Sequence, residues 1–273
     1  MNLFKTLKLD TVDRITTVTL NRPQTMNAVS PLLMDELGAA CEQLAQDSGT
    51  RAVIITATGR AFSSGLDLNV FGQIGKTIQP QDLPALIDHW QAVFNALENL
   101  PQVTIAAING TTLGIGIELI LCTDFRVAST RALFGMPELR LGIIPDVGGI
   151  PRLVRTVGAA WAKEIILRPR NISAMEAVRI GLVNRVSEHG DLIGLARKWA
   201  TQFAALPAPA VRQAKRLLNS SFDIDLATSL RQAKEAQLQL FSTPEFWAAV
   251  QAMREQRPAE ENLPEETPMQ EQP

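Results

Sequence analysis

Between Val103 and Cys122 the chain has few conformations open to it. Val103–Ile108 is a mostly apolar run of strand length that ends at Asn109-Gly110, a dipeptide that marks a turn. Gly114-Ile115-Gly116 follows. It opens a second run, Ile117–Cys122, that is apolar except for Glu118 and long enough to start a buried helix. A helix N-terminus presents unpaired N–H groups and partial positive charge, so it suits a developing anion. The same stretch, read on to Pro151, carries a second carboxylate, Glu138, set between Met136-Pro137 and Leu139. Glutamate is rarely buried without a partner or a task. Each of the two could cap a helix or pair with Arg126 or Arg140. Two carboxylates beside an anion-binding turn are also what acid–base chemistry next to a carbonyl requires.

Composition narrows the field. The 273 residues suit one large domain, or a core with a small helical appendage, and 46% of them are hydrophobic, ample for a core. A net charge of −2 makes no electrostatic case for nucleic acid or an anionic membrane surface. Cys41 and Cys122 read as buried free thiols of a reducing compartment. No metal-ligand spacing occurs, and His89 and His189 are too few and too scattered to build a metal site. The N-terminal MNLFKTLKLD alternates like a strand and lacks a signal-peptide apolar core. No apolar run reaches the roughly 18 residues of a membrane span. A soluble cytoplasmic protein is expected.

Local patterns predict the elements. Residues 3–9 and 14–20 alternate as a β-hairpin closed around Asp10–Asp13, and Pro23 ends it. Ser30-Pro31 starts a helix to about Gln46 with Leu33, Leu37, Ala40, Cys41 and Leu44 inward. Residues 51–58 form the next strand, which predicts parallel pairing through a right-handed crossover. Residues 70–84, rich in Gly, Gln and Pro, predict a mobile cover over a pocket. A helix over 85–100 turns Leu86, Trp90, Val93 and Leu97 inward. Ser173 and Glu176 form a capping box, and 183–186 is a short strand. From Asp191 amphipathic helices over 192–206, 208–219, 224–241 and 244–254 suggest an appendage outside the core. The Pro- and Glu-rich end, 258–273, should be disordered. Ser63 and Ser64 have no histidine nearby in sequence to serve as a base for serine hydrolysis.

The segments GRAFSSGLDL, IAAING, GIGIEL, CTDFRVAS and FGMPELRLGIIPDVGG, in that order, resemble the signature of the enoyl-CoA hydratase/isomerase (crotonase) superfamily. The likeness runs from about Asn21 to about Arg257. It implies an α/β spiral of ββα repeats (ClpP/crotonase-like) over 1–190 and a C-terminal helical region over 191–257 used for trimer contacts. The implied assembly is a trimer or a dimer of trimers. It implies an acyl-CoA thioester as substrate, with coenzyme A part of that substrate and no further cofactor or metal. The N–H groups of Leu66 and Ile115 would form an oxyanion hole, although many members carry Gly or Ala where this chain has Ile115. The loop NRPQTMNAVS would run along CoA, with the Met26 and Ala28 backbones at the adenine and pantetheine end. Arg22 would be either a phosphate partner or a solvated charge. Ser64, Gly65, Asp67, Leu68, Gly114 and Pro137 would line the substrate, Asp67 also reading as a cap of the next helix.

Glu118 and Glu138 match the two glutamates of the hydratases. Their burial should raise and separate their pKa values, as an acid–base pair requires. The implied reaction is reversible syn hydration of a trans-2-enoyl-CoA. Asp146 lies where dienoyl-CoA isomerases of the superfamily hold a second acid that works with the Glu138 equivalent, and FSSGLDL also looks closer to those isomerases. After Pro145 it reads equally well as a turn residue. A non-catalytic acyl-CoA binding protein would be expected to have lost a carboxylate, and both persist.

Overall fold

A computed structural model describes residues 4–168 and 170–256; the tail expected to be disordered, 258–273, lies outside them. The strands are β1 (Leu7–Val12), β2 (Ile15–Leu20), β3 (Ala52–Ala57), β4 (Ala61–Ser63), β5 (Val103–Ile108), β6 (Thr111–Leu113), β7 (Phe125–Ser129), β8 (Leu133–Gly135), β9 (Ile172–Ser173) and β10 (Arg185–Ser187). The helices are α1 (Pro31–Gln46), α2 (Leu83–Glu98), α3 (Ile115–Leu121), α4 (Gly149–Leu167), α5 (Ala174–Arg179), α6 (Leu192–Ala204), α7 (Ala208–Ser220), α8 (Leu226–Phe241) and α9 (Pro244–Gln256).

Six strands form one sheet in the order β1-β2-β3-β5-β7-β10, parallel from β2 onward, and four short strands form a second in the order β4-β6-β8-β9. Three successive repeats share one plan. A strand of the large sheet (β3, β5, β7) turns into a short strand of the small sheet (β4, β6, β8), and a helix (α2, α3, α4) follows. This is the ββα spiral that the motifs imply. Its corners stack. Asn109 Nδ2 donates to the Gly59 carbonyl at 2.9 Å, and a Cβ on Gly110 would run into the Arg60 carbonyl oxygen. Asn109-Gly110 is therefore required by close backbone approach as well as by the turn.

The large sheet is apolar on both faces, as a covered parallel sheet must be. One face packs Val53, Ile55, Ala106 and Ile108 with the inward residues of α1 and α2, including Leu33, Leu37, Trp90 and Phe94. The other packs Ile54, Ile105 and Val127 with Leu192, Ala196 and Ala200 of α6. Ser30 caps α1 by accepting from the Leu33 N–H. Ser173 caps α5, but the Glu176 carboxylate of that sequence pattern turns to Arg170.

Three expectations change. The first hairpin is tighter than predicted: β1 runs on to Val12, and Asp13 and Arg14 reverse the chain with φ of 52° and 65°. Positive φ at both central residues is the type I′ geometry that matches strand twist. The helices after 191 are not uniform, because α6 carries its small-residue face onto the large sheet. And α4, kinked at Gly158, adds a helix that the predicted series lacks. Residues 70–82 hold two single 3₁₀ turns, Phe71–Gln73 and Pro80–Asp82.

One compact unit extends to Arg216 and a second begins at Leu217. In the second, Phe241, Phe246 and Trp247 stack edge to face, and Trp247 Nε1 donates to the Phe241 carbonyl. In the first, Lys215 of α7 is buried against β5 and β7: its Nζ meets Asp124 Oδ2 at 2.8 Å and the Gln102 carbonyl at 3.0 Å. The same Asp124 oxygen accepts from the Thr104 N–H and hydroxyl. Removing one partner of such a pair strands a buried charge. Asp124→Ala is expected to cost about 3–5 kcal/mol, read as a lower urea midpoint.

Candidate active site

The short parallel strands β4, β6 and β8 pair side by side, Ser63 with Thr112 and Leu113 with Gly135. Their C-terminal ends therefore release three segments into one place, about 4.8 Å apart per strand. Those segments are Gly65-Leu66, Gly114-Ile115 and Pro137-Glu138. Gly65 has φ of 95°, and a Cβ there would lie 3.1 Å from the Leu113 carbonyl oxygen. Gly114 has φ of 53°, and its N–H ties back to the Gly135 carbonyl. Only glycine allows this turn and this approach.

The backbone donors follow from that geometry. Val29 donates to the Gly65 carbonyl and accepts from the Asp67 N–H, a parallel bridge centred on Leu66. In such a bridge the central residue's own N–H points to the opposite side, free of the ladder. Ile115 is the first residue of α3, where N–H groups have no partner within the helix. Neither N–H donates to an acceptor among the described residues.

Glu118 follows one turn into α3 and is 2% exposed. Its Oε2 accepts from the Val147 N–H at 3.0 Å and the Gly149 N–H at 2.6 Å. A Cβ on Gly149 would fall 2.7 Å from that carboxylate. Burial pushes Glu118 up to about 8; the Gly149 bond works against the shift, and nearby Glu138 and Asp146 add to it. Glu138 opens a 3₁₀ turn (Glu138–Leu141) after Pro137 and is 9% exposed. A Cβ on Gly114 would collide with its Oε1, and its buried Oε2 has no partner among the described residues. A buried acceptor of this kind is one that a water or a ligand satisfies. Burial raises the Glu138 pKa, with a further push from Asp146. The pair thus brackets the start of α3. Arg126, one candidate partner for these glutamates, is instead committed to the Leu182 and Thr123 carbonyls.

Asp146 stands in the turn before α4 with its side chain exposed and its pKa raised by partial desolvation. Arg22 is largely covered rather than a solvated charge: it pairs with Asp67 at 3.0 Å and donates to the Ala28 carbonyl. Asp67 caps no helix, because its Oδ1 closes a turn onto Asn69 N–H while Oδ2 takes Arg22. Buried Asn27, with φ of 55°, holds this loop by donating to the Thr58 and Ala61 carbonyls. Ala28 is buried, whereas Met26 (38% exposed) and Leu68 (65% exposed) face outward, and the Ser64 hydroxyl donates to the Thr25 carbonyl. Among the described residues no three His, Cys, Asp or Glu side chains are grouped to hold a metal ion, and no helix is long and apolar enough to cross a membrane. Cys41 and Cys122 are both free and buried.

The residues that sequence reasoning missed are Val147 and Gly149, whose main-chain groups hold Glu118. Gly148-Gly149 ahead of an amphipathic run was the available signal. Gly148 takes φ of 97°, which lets the two N–H groups converge on one oxygen.

A family profile for enoyl-CoA hydratase/isomerase matches residues 10–261. The short-chain-enoyl-CoA hydratase of Clostridium acetobutylicum is 36% identical, over 92% of this chain and 95% of its own. The crystal structure of an enoyl-CoA hydratase from Bacillus anthracis superposes with a TM-score of 0.87 at 34% identity, covering 93% of this chain and 97% of that one. An enoyl-CoA hydratase/isomerase from Cupriavidus metallidurans gives a TM-score of 0.89 at 31% identity, over 94% and 96%. The chain belongs to the enoyl-CoA hydratase/isomerase family.

Glu118 in the folded protein keeps its proton to about pH 8, whereas an unshifted glutamate releases it near 4.5. The folded state therefore binds more protons between these values, and this group's contribution to stability falls as pH rises through the window. Glu118→Gln cannot ionise. Its melting temperature should exceed that of the wild type at pH 8, by roughly 2–4 °C per kcal/mol relieved, and match it near pH 5.

Proposed function

We propose that the protein hydrates trans-2-enoyl-CoA thioesters, reversibly and with syn geometry. The observation that carries this reading is the convergence of two buried carboxylates, Glu118 and Glu138, on a helix start beside two unengaged N–H groups, Leu66 and Ile115. A thioester carbonyl oxygen that accepts from both N–H groups can take up charge, which makes Cβ electrophilic. Losing one donor of this type costs about 2.7–4 kcal/mol in acyl transfer. A water held between the carboxylates attacks Cβ and gives its proton to the ionised glutamate. The protonated glutamate then supplies Cα. Water is added across the double bond and the pair exchanges one proton, so the chemistry calls for no cofactor beyond the CoA of the substrate. The opposed environments of the two glutamates, one held by two N–H groups and one with a free oxygen, suit that division.

In this assignment Gly65 and Gly114 give the thioester its close backbone approach. Pro137 orients Glu138, and Met26, Ala28, Ser64 and Leu68 border the CoA and acyl path. Asp67 supports the loop through Arg22. Large apolar side chains exposed on α7 to α9, among them Leu218, Leu230, Leu238 and Trp247, support the trimer or dimer of trimers. We place the protein in the cytoplasm, in keeping with its free thiols.

A second reading, double-bond migration in a 3,5-dienoyl-CoA by Glu138 and Asp146, draws on the push that nearby Asp146 adds to the raised Glu138 pKa. The assay separates the two. Added to crotonyl-CoA, the protein should remove the conjugated enoyl-thioester absorbance. Glu138→Gln should lower kcat by about 10²–10⁴-fold while still binding CoA thioesters. An active Glu138→Gln enzyme would overturn the assignment. Absorbance gained from a 3,5-dienoyl-CoA, dependent on Asp146 and without crotonyl-CoA hydration, would replace it with the isomerase.

A further inference from the structure

Three consecutive peptide groups make the turn that holds Glu118, and each has its outer side tied down. The peptide that donates through Val147 N–H has the Asp146 carbonyl at its other end, and this accepts from Gln91 Nε2 at 2.7 Å. The next peptide offers the Val147 carbonyl, which accepts from Arg152 Nη1 at 3.3 Å. The third donates through Gly149 N–H, and its Gly148 carbonyl accepts from the Arg152 main-chain N–H at 3.2 Å. The Arg152 guanidinium fills the space beneath the turn so closely that a Cβ on Gly148 would collide with it. It is held in turn by Glu98 Oε2, at 3.0 Å from Nε and 2.7 Å from Nη2, and by Asn95 Oδ1 at 2.6 Å. Gln91, Asn95 and Glu98 are spaced i, i+4 and i+7 along α2, so one polar stripe of a single helix faces the turn.

We propose that Gln91 and Arg152, with Asn95 and Glu98 behind the guanidinium, are positioning residues for Glu118 that act through the Val147–Gly149 turn. A donor on a peptide carbonyl polarises that peptide and strengthens its N–H, so the stripe sets both the place and the donor strength of the groups that hold the carboxylate. None of these four side chains touches the reacting atoms. The inference rests on the assignment of Glu118 to the acid–base pair. It also joins the 3₁₀ segment just before α2 to the chemistry, since Pro80–Asp82 leads directly into the helix that carries the stripe.

The titratable groups that bear on Glu118 are Glu138, Asp146, Arg152 with its partner Glu98, and Cys122. Weaker N–H donors favour the protonated carboxylate, so loss of a donor from the stripe should move one limb of the pH–rate profile to higher pH. The test is the pH dependence of crotonyl-CoA hydration by Gln91→Met, which keeps the shape and removes the donor, and by Glu98→Gln. For each, kcat should fall about tenfold and KM should stay within about twofold; in Gln91→Met one limb should rise by roughly half a pH unit, the size of one lost hydrogen bond, whereas in Glu98→Gln the unneutralised Arg152 charge should lower that limb. Wild-type pH limbs in both variants, or losses that follow a lowered melting temperature with KM and kcat falling together, would overturn the proposal. Glu118→Gln run alongside keeps the two levels apart. If it retains full activity, the assignment of Glu118 fails and takes the positioning role with it. If it is inactive while Gln91→Met behaves as wild type, only the positioning role fails.

Discussion

The parallel ladder of β4, β6 and β8 governs everything functional in this protein. Each strand is three residues long, too short to be stable alone, and each is held by its place between a strand of the large sheet and a helix. Parallel pairing has one consequence that an antiparallel hairpin could not supply. It brings equivalent ends of three repeats to the same edge, so Leu66, Ile115 and Glu138, up to 72 positions apart in the chain, become neighbours. The glycines at the joints let the three segments approach closely, with Gly65 set against the Leu113 carbonyl and Gly114 against the Glu138 carboxylate.

Two glutamates buried at that edge carry a cost that the fold offsets unequally. Glu118 has two N–H groups on one oxygen and still rises to about 8, because desolvation outweighs them. Glu138 has one oxygen with no partner among the described residues. Similar side chains thus differ in proton affinity and in what they can do next, which is the separation of roles that acid–base chemistry at a single carbon–carbon bond requires. The structural support for this asymmetry comes from α2 and α4, elements that contribute no carboxylate to the pair.

Much of the candidate site's local layout was legible before any fold was known, because it is carried by short local patterns. Glycine-rich joints followed by an apolar run with one glutamate point to a buried helix start with a carboxylate on its first turn, and the structure has that arrangement. The α1 cap at Ser30 and the inward residues of α1 and α2 were legible for the same reason: they depend on i, i+3 and i+4 relations alone. The role of Arg22 was not. Its partner, Asp67, is 45 residues away, and a lone arginine before a proline carries no mark of that pairing. Nor was the hold on Glu118, since main-chain donors such as Val147 and Gly149 leave almost no trace in side-chain identity.

The amino-acid sequence by itself carried the motifs whose order marks the family, and the cap and inward faces of α1 and α2, because these follow from motif order and short-range spacing. Only the tertiary structure decided which carboxylate is held by which amide, that α6 lies on the sheet, and that a polar stripe of α2 stands behind the Glu118 turn. Those outcomes depend on contacts between residues far apart in sequence, 29 positions for Val147 with Glu118 and 55 for Gln91 with Asp146. Such contacts are set by the packing of parallel strands and the helices that cover them, and no local pattern encodes a distance across a sheet.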